Sequence, residues 1–140
     1  MAAATDLHPQ LDPTHLAVVR CPPDWPPPPL PPGRFAAVVA GEHEVTAVVP
    51  EDVLDDPAWS GAAEQVDLGW RRVTFPGPLP WELVGFLADV AGRLAGAQIP
   101  FTAMAGFTTD HVLVRAAQAD LAVSVLSGQP TPAQRPGTNP

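Results

Sequence analysis

The chain has no lysine and no tyrosine, and its seven basic residues, all arginine, are scattered among fifteen acidic ones. A net charge of −8 without a basic cluster speaks against nucleic acid, whose phosphates need a concentrated positive patch. It speaks equally against an anionic membrane surface. Acidity of this kind serves solubility. Cys21 is the single cysteine, so no intrachain disulfide can form and a thiolate metal site lacks its ligands. It ends an apolar run, where a buried and inert thiol is expected. No apolar run reaches the ~20 residues of a membrane span. The opening MAAATDLHPQLDP is too polar and proline-broken for a signal peptide, so the cytoplasm is the expected compartment.

What the chain does have is proline, 20 in 140 residues, concentrated near the ends and in Pro22–Pro32. Residues 1–14 show no periodicity and read as a flexible arm. HLAVVRC, residues 15–21, is a short β-branched run consistent with a buried strand. The following CPPDWPPPPLPPG cannot be helical, because each proline removes an N–H and fixes φ. An extended strap pinned by Trp25 and Leu30 is expected there. RFAAVVA and VTAVV, residues 34–40 and 45–49, flank Gly41 as a β-hairpin. A helical turn begins at Pro50-Glu51-Asp52, and residues 58–68 connect to the second half.

That half is the better patterned. Residues 69–75 read as a strand, with Trp70, Arg72 and Thr74 on one face and Arg71, Val73 and Phe75 on the other. PGPLP turns the chain. A helix is expected over 81–97, with Val84, Leu87, Ala88, Ala91, Leu94 and Ala95 as its apolar stripe. Gly85, Gly92 and Gly96 weaken that helix unless another backbone packs closely. Residues 99–105 and 111–115 form strands about the turn FTTD, and a helix over 116–126 closes the unit. Beyond Gly128 the tail lacks apolar residues and is expected to be disordered. The order strand, helix, strand, strand, helix is repeated in the first half, with the proline strap in the slot of the first helix.

Catalysis lacks its parts. Ser60, Ser124 and Ser127 sit in no nucleophile motif, no glycine-rich phosphate loop occurs, and no carboxylate pair converges. His43 lies in a solvated turn between Glu42 and Glu44. His111 follows Asp110 in a strand, so the two face opposite sides and form no dyad. The expected protein is therefore not an enzyme and uses neither metal nor cofactor.

GWRRVTFPGPLPWELVGFLADVAGRLAGAQIPFTAMAGFTTDHVLVR resembles the ACT domain family. Within it, the segment is similar to small bacterial proteins related to the arginine-sensing CASTOR proteins, with their GWR strand, GPLD turn and I-S-T-x-x-T-D-Y segment. The resemblance implies an α+β, ferredoxin-like fold of two ACT-like halves, the first lacking its first helix. Residues 15–68 would be the degenerate half, 69–127 the ACT domain and 128–140 a disordered tail. It implies binding of a small molecule, typically an amino acid, to regulate a partner, and association as a homodimer. The candidate ligand-binding positions are Pro78, Leu79, Trp81 and Glu82 at the turn and helix start, and Phe107, Thr108, Thr109 and Asp110 in the hairpin. Here the family's aspartate after GPL is Pro80 and its Ser-Thr pair is Ala105-Gly106. The helix N-terminus at Trp81–Leu83 would offer N–H groups to a carboxylate, and Asp110 would meet an ammonium.

Overall fold

The computed structural model describes residues 4–77 and 85–129. In chain order it contains strands β1 (Gln10–Leu11), β2 (Leu16–Cys21), β3 (Ala37–Ala40) and β4 (Val45–Pro50), then a 3-10 turn (Glu51–Asp55) and helix α1 (Pro57–Ser60). Strand β5 (Gln65–Thr74), helix α2 (Phe86–Gly96), strands β6 (Phe101–Ala105) and β7 (Asp110–Arg115), and helix α3 (Ala119–Leu126) complete it. The chain divides into two compact units, residues 13–71 and residues 1–12 with 72–140, and β5 contributes to both.

In the unit of residues 13–71 the strand order is β3-β4-β2-β5. Numbered within the unit this is 2-3-1-4, the antiparallel ferredoxin-like order, with β5 as its fourth strand. Register follows the apolar alternation: Ala17 pairs with Val49, Val19 with Ala47 and Cys21 with Val45. These six side chains face one core, closed by Trp59. No helix lies between β2 and β3. Instead Trp25 meets Trp59 edge-on, with ring centroids 5.7 Å apart, a geometry that aromatic quadrupoles favour. Leu30, expected as a second pin, is 51 % exposed and does not serve as one. The far end of the strap is tied to the 3-10 turn by Arg34, whose two terminal nitrogens each donate to Asp52 at 2.9 Å. Helix α1 begins where the side chain of Asp56 accepts from the Ala58 amide, the usual N-cap arrangement.

In the other unit the order is β1-β5-β7-β6, the same ferredoxin-like pattern with β1 as fourth strand. The N-terminal residues, expected as a flexible arm, are tied down from Thr5 onward. Gln10 and Leu11 pair with Thr74 and Val73 of β5, and the Leu7 amide donates to the Leu126 carbonyl. Leu7 and Leu11 pack on the core, and Arg93 donates to the Thr5 carbonyl. The reason is topological: without β1 one edge of β5 would lack its partner, and sequence periodicity cannot register a two-residue strand. Val73 from β5 and Phe75 just after it, Val112 and Val114 from β7, and Val90, Leu94, Ala122 and Leu126 from the two helices form the core.

Helix α2 also differs from expectation. Gly85 takes φ 86°, in the left-handed region, so the helix starts at Phe86 rather than at Trp81. The first intrahelical bond is donated by Asp89 to Gly85. A methyl group at Gly92 or Gly96 would meet nothing within 4 Å, so these glycines do not mark a close backbone approach. The expected tail lies, from residue 130, outside the described residues.

Candidate functional site

Two pieces of the second unit converge on Phe75, the residue that follows β5. Phe86, the first residue of α2, stacks edge-on against its ring, with centroids 5.0 Å apart and planes at 87°. Thr109 Oγ1 donates to its carbonyl at 3.4 Å. The start of the helix and the β6–β7 turn are thereby both placed at the end of β5. Of the residues expected at the site, Pro78, Leu79, Trp81 and Glu82 lie outside the described residues.

The remaining four are brought together by one tight turn. The Gly106 amide donates to the Thr109 carbonyl at 2.8 Å, and Asp110 opens β7 opposite Ala105. Phe107 is 82 % exposed at the tip, and Thr108 is exposed beside it. Thr109 and Asp110 are half-buried. Thr109 faces the end of β5, whereas the Asp110 carboxylate has no hydrogen-bond or ion-pair partner among the described residues. Half-buried and unengaged, it can receive a cation.

The turn leaves no room for a side chain at position 106. A Cβ there would lie 2.8 Å from the Thr109 carbonyl oxygen and 3.2 Å from His111 Nε2. The imidazole occupies the space that a side chain would need. His111 is in turn held from β5: Arg72 Nη1 lies 3.2 Å from Nδ1, while Arg72 Nη2 donates to Asp12 at 2.8 Å. Burial, then the Arg72 charge, lowers the His111 pKa below its ordinary value, with Asp110 acting in the opposite direction. The ring is therefore neutral at physiological pH.

This Asp12–Arg72–His111 chain was not foreseen from sequence. The signal for Arg72 was present in the strand alternation that set it apart from Val73 and Phe75. Asp12 could not be added, because its pairing depends on β1. The expected N–H donors also move: with α2 starting at Phe86, the amides of Phe86, Leu87 and Ala88 precede its first hydrogen bond. Trp81–Leu83, the expected donors, lie outside the described residues.

Elsewhere, Cys21 is fully buried, and burial followed by the Glu64 charge raises its thiol pKa. No group of three or more metal-ligating side chains occurs among the described residues. None of their helices is long and apolar enough to cross a membrane. An open groove of about 600 Å³ lies in the first unit between Pro29–Pro32 of the strap and Asp52, Val53 and Trp59.

Residues 65–128 match the family model described as ACT domain. That range runs from the start of β5 to just past the end of α3, and the fold it covers is ferredoxin-like. Among solved structures, a protein of Agrobacterium tumefaciens is 22 % identical with a TM-score of 0.70, covering 83 % of this chain and 84 % of that one. A Vibrio cholerae protein of unknown function, described as a possible transport protein, is 20 % identical (TM-score 0.62; 84 % and 85 % covered). The regulatory subunit of aspartate kinase from Thermus thermophilus is 14 % identical (TM-score 0.59; 89 % and 97 % covered). None of the curated proteins compared matches this chain. ACT domains are in general regulatory and non-catalytic, and they bind small molecules, often amino acids.

Proposed function

We propose that this protein is a non-catalytic regulatory module that binds an amino acid beside the β6–β7 turn and transmits its presence to a partner. The observation that carries the proposal is Asp110, a half-buried carboxylate without a partner among the described residues. It stands in the Thr109-Asp110 pair that the resemblance to ACT proteins singles out. On this reading Asp110 receives the ligand ammonium and Thr109 keeps the turn against Phe75. Phe107 and Thr108 border the ligand, and Pro78, Leu79, Trp81 and Glu82 are assigned to the same ligand site from the resemblance. The ligand carboxylate would be met by amides at the start of α2. The division into a degenerate half over 15–68 and an ACT domain over 69–127, a homodimeric state, a cytoplasmic setting and kinship with the arginine-sensing CASTOR proteins belong to the same proposal.

Thermal melting of the full chain against the twenty amino acids at millimolar concentration tests it. At least one is expected to raise the melting temperature, as a ligand that binds only the folded state must. Asp110→Asn should remove that rise while the variant remains folded. A panel without any rise sinks the proposal. It would leave the second reading, an interaction module that kept the fold without the ligand. Ala105 and Gly106 favour that alternative, because two hydroxyl donors worth about 0.5–1.5 kcal/mol each are missing there.

A further inference from the structure

The geometry points to a proton-sensitive latch: Arg72, anchored by Asp12, holds neutral His111 against the β6–β7 turn, and protonation of His111 loosens that turn from the end of β5. A guanidinium carries donors only. The 3.2 Å contact between Arg72 Nη1 and His111 Nδ1 therefore requires a bare Nδ1, with the ring proton on Nε2. A second proton on the ring would set N–H against N–H and cation against cation at that distance. Arg72 cannot simply withdraw, since Asp12 holds its other terminal nitrogen at 2.8 Å.

The ring is placed to pass such a displacement on. Its Nε2 lies 3.2 Å from the position that a Cβ of Gly106 would occupy, and Gly106 makes the hydrogen bond that closes the turn. The turn is attached to β5 by Thr109 Oγ1 on the Phe75 carbonyl. Loosening at His111 thus reaches Gly106, Thr109 and the joint at Phe75 in sequence.

Among the described residues, the charged groups that act on His111 are Arg72 and Asp110. Strand β5 presents Arg72, the residue after β1 presents Asp12 through that arginine, and β7 itself contributes Asp110. Strand β6, Phe101–Ala105, has no titratable side chain. Helices α2 and α3 pack on Val112 and Val114, the face of β7 opposite His111. Burial and Arg72 outweigh Asp110, so the folded protein releases the ring proton more readily than an ordinary histidine. The unfolded chain consequently takes up a proton first as pH falls. The latch is fully closed above the ordinary histidine value of 6.5 and is lost as pH falls through the lower folded value. This holds whether or not the turn binds an amino acid.

Nitrogen-15 NMR of the His111 ring in the unaltered full chain gives the tautomer and the titration directly. The expected result is the Nε2–H tautomer at neutral pH and a midpoint below 6.5. A proton on Nδ1, or a midpoint at or above the ordinary value, overturns the latch. Hydrogen exchange supplies the mechanical readout. On acidification below neutrality the Gly106 amide should lose protection before the β2–β4 amides do. In His111→Asn, which keeps an acceptor near Nδ1 but cannot titrate, that early loss should disappear. If it persists in the variant, His111 is not the switch. Should the variant fail to fold, the tautomer and midpoint in the unaltered chain still decide.

Discussion

The two units share one strand order and differ in what covers the sheet. In residues 72–129 two helices close a core of aliphatic side chains, and Val90, Leu94, Ala122 and Leu126 are each fully buried. In residues 13–71 the position of the first helix is taken by a proline strap. Its largest inward side chain is Trp25, edge-on to Trp59, and beside it runs the open groove. A helix can bury a stripe of side chains along its length. An extended strap contributes only the few residues it happens to turn inward. Cover is then concentrated in few residues, which makes a sharp contrast in mutational response.

The largest effect should come from that concentration. Trp59→Ala removes a side chain only 4 % exposed that serves as both core closure and strap anchor. A loss of about 3–5 kcal/mol is expected. Leu94→Ala should cost about 2–5 kcal/mol through the cavity it leaves in the helix-covered core. Denaturant titration measures both, and hydrogen exchange separates them. Trp59→Ala should release amides of residues 22–36 and β3 first, Leu94→Ala those of α2 and α3. If Trp59→Ala costs less than about 1 kcal/mol, the strap is held by something other than the aromatic pair.

A smaller change sharpens the comparison from the helical side. Gly92 faces open space on α2, with nothing within 4 Å of an added methyl. Gly92→Ala should therefore stabilise the protein by about 1 kcal/mol, the intrinsic helix preference with no packing penalty. A destabilised variant would mean that this face is covered in solution by a second molecule, and sedimentation of the parent would then reveal the association.

How much of this was legible in the sequence follows the same division. The short apolar runs of β2, β4 and β7 and the proline run were local signals, and the strands and the strap lie where those signals placed them. The start of α2 was misplaced because apolar spacing at Val84 and Leu87 runs across Gly85, and spacing does not reveal a left-handed φ. Strand β1 was missed because two residues carry no period; its existence depends on an open edge at the end of β5. For the candidate site, the turn and Asp110 could be found from the FTTD segment. The Asp12–Arg72–His111 chain could not, since it joins residues separated by 60 and 39 positions through strand pairing.

The smallest expected effect concerns the other end of the strap. Arg34 and Asp52 are hydrogen-bonded at 2.9 Å, but both are largely exposed, so the pair is screened by water and salt. The Arg34 hydrogen bond, then its charge, holds the Asp52 carboxyl below its ordinary value. Such a group stabilises the fold above the ordinary carboxylate value and loses that contribution as pH falls through the depressed one. Arg34→Gln should therefore lower the melting temperature slightly at neutral pH and low salt, with the difference vanishing in strong acid or in ~1 M salt. The two units would then loosen at opposite ends of the acid range: the helix-covered unit first, below neutrality at His111, and the strap only after Asp52 is protonated. A melting difference that survives both acid and salt would show that Arg34 holds the strap by packing its side-chain stem rather than by charge.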